Sequence, residues 1–127
     1  MEPLSRAKRW LNMAHILIVD TQTELHHQLV RLLEQAGRHA TAVATVSEAA
    51  RLLTQHVPDL LATNVVLTDG SGVTLATQAK TAGAKVLLIT GSPDRVVEFD
   101  GSGQPYLSKP FPAEAFPRRV RKILSPG

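Results

Sequence analysis

A chain of 127 residues, 43% hydrophobic and 20% charged, has the composition of one globular domain able to bury about two-thirds of its unfolded surface. Its longest apolar strings, ILIV and VLLI, have strand length, so neither a membrane span nor, in the basic but apolar-poor first fifteen residues, a secretory leader is expected. Cysteine is absent, which excludes disulfides, thiolate catalysis and Cys-based metal sites and suits a reducing cytoplasm.

The net charge of +3 is unevenly placed: residues 1–12 carry +2, residues 117–127 carry +4, and the middle carries −3. The high isoelectric point therefore describes two ends rather than a basic body. A solvated final helix is the expected fate of the tail charges, and nucleic acid is not expected as a partner.

Residues 1–12 show neither the helical nor the strand period, and Met13 is followed at once by AHILIVD. They are expected to be a poorly ordered extension, or a short appended helix around Trp10 and Leu11, with a single domain over 13–127. HILIVD then reads as a strand buried on both faces. TELHHQLVRLLEQAG places Leu25, Leu29, Leu32, Leu33 and Ala36 at helical spacing and stops at Gly37. HATAVAT is a weak strand suited to a sheet edge. SEAARLLTQH is a helix with Ser47 as its N-cap, and DLLATN is the third strand. GVTLATQAKTAG is a helix stopped by Gly83, and KVLLIT is the fourth strand. SPDRVVEF predicts about two helical turns, with Ser92 as cap and Pro93 at the first position. DGSGQP is all turn formers. PYLSKPF holds a short fifth strand. AEAFPRRVRKIL is a final helix with Phe116, Val120, Ile123 and Leu124 inward, which Pro117 must either delay or kink.

Five strands alternating with five helices predict an α/β fold: a doubly wound five-stranded parallel sheet with helices on both faces. Such sheets bind ligands outside the C-terminal ends of their strands. Those ends are Asp20-Thr21, Asn64, Thr90-Gly91 and Ser108-Lys109-Pro110.

In that order and spacing, the four ends resemble the receiver domain of two-component response regulators over residues 13–124. The resemblance implies a flavodoxin-like receiver fold with strand order 2-1-3-4-5. It implies two acids after ILIV that hold magnesium, a phospho-accepting aspartate ending strand three, and a loop matched by Thr68-Asp69-Gly70-Ser71-Gly72. It also implies a Thr or Ser at Thr90, a switch aromatic at Tyr106, and a Lys-Pro-Phe at Lys109, Pro110 and Phe111.

Against that pattern, Asn64 stands where the phospho-accepting aspartate belongs, and Thr21 where the second acid belongs. The nitrogen lone pair of an amide is delocalised into its carbonyl and the oxygen has no formal charge, so Asn64 is no nucleophile toward phosphorus. Magnesium prefers anionic oxygens, and Asp20 alone is at most a weak residual ligand. No cofactor is expected, with magnesium weak or absent. The chain reads as a pseudo-receiver with no catalytic residue, a signalling protein rather than an enzyme, whose partner is a histidine kinase or another regulator. A homodimer stays open, and any output would lie in another chain.

Plainer roles stand beside these. Lys109 would pair with Asp20, Thr90 would cap the following helix, Tyr106 would pack, and the adjacent His26 and His27 would be solvated because their rings diverge. The residues 69–72 lack the lysine and spacing of a phosphate-binding P-loop and would form a turn. Competing functions are a conventional phospho-acceptor using Asp69 or Asp59, a flavodoxin-like small-molecule binder, and DNA binding by the basic tail.

Overall fold

The computed structural model describes residues 14–125, so the expectations for residues 1–12 and for a boundary at residue 13 lie outside it. Runs of apolar residues make strands buried on both faces, because successive side chains alternate between faces. In β1 (His15–Val19) the residues Ile16 to Val19 are all buried. The other long strands are β2 (His39–Val43), β3 (Leu60–Asn64), β6 (Lys85–Thr90) and β7 (Tyr106–Ser108). They form one parallel sheet in the order β2-β1-β3-β6-β7, which is the predicted order 2-1-3-4-5 counted over long strands. The small-residue strand HATAV lies at the edge, as its composition predicts.

Helices α1 (Thr23–Gln35), α2 (Val46–Gln55), α3 (Gly72–Thr81), α4 (Pro93–Ser102) and α5 (Ala115–Leu124) fill the connections. Ile16, Ile18, Ala62, Leu87 and Ile89 point to one face, where Leu29 and Leu33 of α1 and Phe116 and Val120 of α5 cover them. Leu17, Val19, Leu61, Val86 and Leu88 point to the other, against Ala49 of α2, Leu75 and Ala79 of α3 and Phe99 of α4. Both faces are buried under helices, and the sheet is doubly wound.

Three local expectations are corrected. The N-cap of α2 is Thr45, whose hydroxyl accepts from the Glu48 N–H at 3.2 Å, not Ser47. Ser47 instead donates its N–H and hydroxyl to Asp69, at 3.1 and 3.0 Å. Between β3 and α3 a two-stranded hairpin, β4 (Val66–Leu67) with β5 (Gly70–Ser71), stands where a plain turn was expected. Helix α4 has ten residues rather than two turns and runs through Asp100-Gly101-Ser102. Burying Phe99 there is worth about 2–3 kcal/mol, which outweighs about 1 kcal/mol for a helical glycine. Gly103, at φ 74°, takes the left-handed conformation that ends the helix. As expected of Pro117, α5 starts late, at Ala115 rather than Ala113, which leaves the proline in the first turn, where its missing N–H has no helical partner to lose. At α4, Ser92 is the N-cap by position, but its side chain makes no capping bond.

Candidate functional site

The C-terminal ends of β1, β3, β6 and β7 converge at one end of the sheet, where the chain must break its ladder and side chains can turn inward. Asp20, one residue past β1, is 1% exposed. Its Oδ2 pairs with Lys109 Nζ at 2.9 Å, and its Oδ1 accepts the Gln22 N–H at 2.8 Å. Gln22 closes the triangle, since Lys109 Nζ also donates to Gln22 Oε1 at 2.7 Å. Both carboxylate oxygens and the ammonium are thus engaged within the chain. Because the acid is buried, removing the cation strands a charge: Lys109→Met is expected to cost about 3 kcal/mol in urea unfolding. A loss under about 1 kcal/mol would show that the pair behaves as a solvated one.

Asn64, at the end of β3, is half-buried, and its Nδ2 donates to the Val66 carbonyl at 3.0 Å, turning the amide into a brace for the start of the hairpin. Thr21 is half-buried beside Asp20 in sequence. Thr90 is 3% exposed, and its hydroxyl accepts the Ser92 N–H at 3.0 Å, so it fixes the entry to α4. Its carbonyl accepts the Lys109 N–H at 2.7 Å, which sets the height of the lysine, and a cis peptide joins Lys109 to Pro110. Tyr106 is half-buried against Phe99, ring centres 5.8 Å apart, with its phenol donating to Asp100 at 2.6 Å. That hydrogen bond pushes the phenol's pKa up. Thus the sequence-predicted Asp20 and Lys109 meet directly, Thr90 joins them through backbone, and Tyr106 is tied into α4.

Two residues at the site were missed. Gln22 lies two positions past Asp20, the spacing of an aspartate accepting from a nearby backbone N–H, which was its available signal. His26 is half-buried with Nε2 2.7 Å from the Asp20 carbonyl, so the solvated reading holds for exposed His27 but not for His26.

The alternative acids are elsewhere. Asp59 precedes β3, at its opposite end from Asn64, and accepts the His15 N–H at 2.7 Å. Asp69, in the hairpin turn, accepts the Val46 N–H at 2.8 Å and two bonds from Ser47, capping the positive end of α2. The Val46 and then the Ser47 backbone bonds hold its carboxyl below the ordinary value of 3.8. A depressed carboxylate contributes stability that is present above the unfolded value and lost as pH falls through the folded one. Asp69→Asn is therefore expected to flatten the fall in melting temperature between about pH 4 and pH 2. Parallel melting curves for the two proteins would contradict that role.

With this geometry established, the family model described as "Response regulator receiver domain" matches residues 16–121. The chain belongs to that family. Curated relatives of this receiver domain include the DNA-binding dual master transcriptional regulator RpaA of Synechocystis sp., 30% identical over 119 residues that make up 88% of this chain and 49% of that protein. The virulence transcriptional regulatory protein PhoP of Salmonella typhimurium is 26% identical, covering 88% of this chain and 52% of its own. The chain spans about half the length of the curated relatives it matches. The solved response regulator DrrB, a Thermotoga maritima OmpR/PhoB homolog, superposes with TM-score 0.75 at 25% identity, over 88% of this chain and 52% of that one. Chemotaxis response regulator CheY4 of Vibrio cholerae gives TM-score 0.74 at 23% identity, over 88% and 99%, and supports the fold. Family membership replaces the flavodoxin-like binder as a reading. Because RpaA's name describes DNA binding, the expectation that nucleic acid is no partner finds no support among these relatives. No described helix is long and apolar enough to cross a membrane.

Proposed function

We propose that this receiver domain takes no phosphoryl group and signals in the cytoplasm through protein–protein contact, with a histidine kinase or another regulator as its partner. The observation that carries the reading is Asn64 at the end of β3, its amide committed to the Val66 carbonyl rather than offering a carboxylate. Phosphoryl transfer to a receiver requires a nucleophilic oxygen and a cation that neutralises charge on the transferring group. The donor set does not fit magnesium: one carboxylate is present at Asp20, one oxygen is paired with Lys109, and the other holds the Gln22 N–H. A dication would have to displace Lys109 and find its remaining ligands among neutral groups. The domain on this reading is a fixed shape, non-enzymatic, whose Asp20–Lys109 pair occupies the place of a switch. Tyr106, tied to Asp100 and packed on Phe99, is held in one position rather than gated.

Amide NMR with magnesium tests the reading through the shifts of Asp20, Asn64 and Val65. Shallow, unsaturating changes are expected, while saturation in the low-millimolar range would sink the claim of a dismantled metal site.

A further inference from the structure

The end of the sheet opposite Asp20 and Asn64 carries a groove of about 860 Å³, set between the C-terminal parts of α3 and α5 and the starts of β6 and β7. Val86 and Ile123 line it together with Lys80, Lys85, Arg119 and Lys122. No carboxylate lines it among the described residues. Four cations from three separate elements line one concavity that no carboxylate lines, an arrangement that favours an anionic occupant.

Two of the four are braced. Lys80 Nζ donates to Gln104 Oε1, and Arg119 donates to the Tyr106 carbonyl at 2.7 Å, which fixes the groove's wall. Lys85 and Lys122 are exposed and have no side-chain partner among the described residues, so their donors remain available. A lining of cations with aliphatic residues among them suits a chain that alternates carboxylates with aliphatic side chains. It suits a nucleic acid less well, because no aromatic ring lines the groove for a base to stack on. Outside Arg6, Lys8, Arg9 and Glu2 the chain holds eleven cationic and ten anionic side chains, so the positive field is local to this groove and α5 rather than global.

We infer that this groove is a docking site for an acidic, aliphatic peptide segment of a partner protein. The contact lies away from the degenerate site and works whether or not that site takes phosphate.

The test is fluorescence anisotropy with a labelled synthetic peptide that alternates acidic pairs with single leucines, alongside a labelled duplex oligonucleotide. The full chain is compared with Lys85→Glu/Lys122→Glu and with Arg31→Glu/Arg51→Glu, which makes the same charge change on exposed residues outside the groove. The groove pair is expected to weaken peptide binding about tenfold or more, and the control pair by less than about twofold. Equal weakening by both pairs would reduce the effect to net charge and overturn the site. So would the absence of saturable peptide binding, or a duplex that binds more tightly than the peptide and is lost with the groove pair.

Discussion

Asn64→Asp combined with Thr21→Asp is expected to accept phosphate from a small-molecule donor, while Asn64→Asp alone incorporates it at least about tenfold more slowly, the equivalent of about 1.4 kcal/mol of transition-state stabilisation. The single change supplies a nucleophile but leaves two acids, Asp20 and the new one, to hold the cation. The double change presents three carboxylates near Lys109, enough for magnesium to compete with Lys109 for Asp20. The structure adds a cost to either variant. Asn64 Nδ2 donates to the Val66 carbonyl, and an aspartate would bring an oxygen against that oxygen. Both proteins are therefore expected to lose about 1 kcal/mol of stability as the hairpin shifts. The comparison is the initial rate of incorporation across the wild type, both single variants and the double. If the Asn64 single variant matched the double, Thr21 would be a harmless change and the account of a site lost at two points would be wrong.

The largest expected loss of stability comes from one methyl group beside that site. Gly72 begins α3 where the chain returns from the hairpin to the end of β3, and its N–H donates to the Val65 carbonyl at 2.8 Å. A Cβ there would lie 1.8 Å from the Asn64 carbonyl oxygen and 3.0 Å from the Thr63 hydroxyl. Both neighbours belong to a central strand paired on each side, so neither has room to retreat. Gly72→Ala is expected to cost about 4 kcal/mol or more, a size reserved for overpacking against fixed backbone. Gly91→Ala, where an added Cβ meets nothing within 4 Å, is the control and should melt near the wild type. Near-equal melting of the Gly72 variant would mean that α3 slides freely on β3, contrary to this packing.

The long strands were legible because burial on both faces writes unbroken apolar runs such as ILIV and VLLI, and the four strand ends followed from them. The departures at Asn64 and Thr21 were equally visible, since they are changes of residue type at placed positions. What escaped the sequence were features decided by tertiary contact. The β4–β5 hairpin has two residues per strand, too few to show any period. Ser47 looked like a helix cap, yet Thr45 beside it caps while Ser47 serves Asp69 from across the loop. The turn-rich end of α4 became helix because buried Phe99, with Ser102 bonded to its carbonyl, holds the last turn against the propensity of its residues. His26 looked solvated beside His27 because only the fold brings its ring to the Asp20 carbonyl.

The central claim is that no side chain at the end of β3 accepts phosphate, and intact-mass spectrometry after incubation with acetyl phosphate and magnesium tests it most directly. The account predicts an unchanged mass for the wild-type chain, with the Asn64→Asp/Thr21→Asp protein gaining one phosphoryl group in the same experiment. A base-labile gain of one phosphoryl group on the wild type would contradict it.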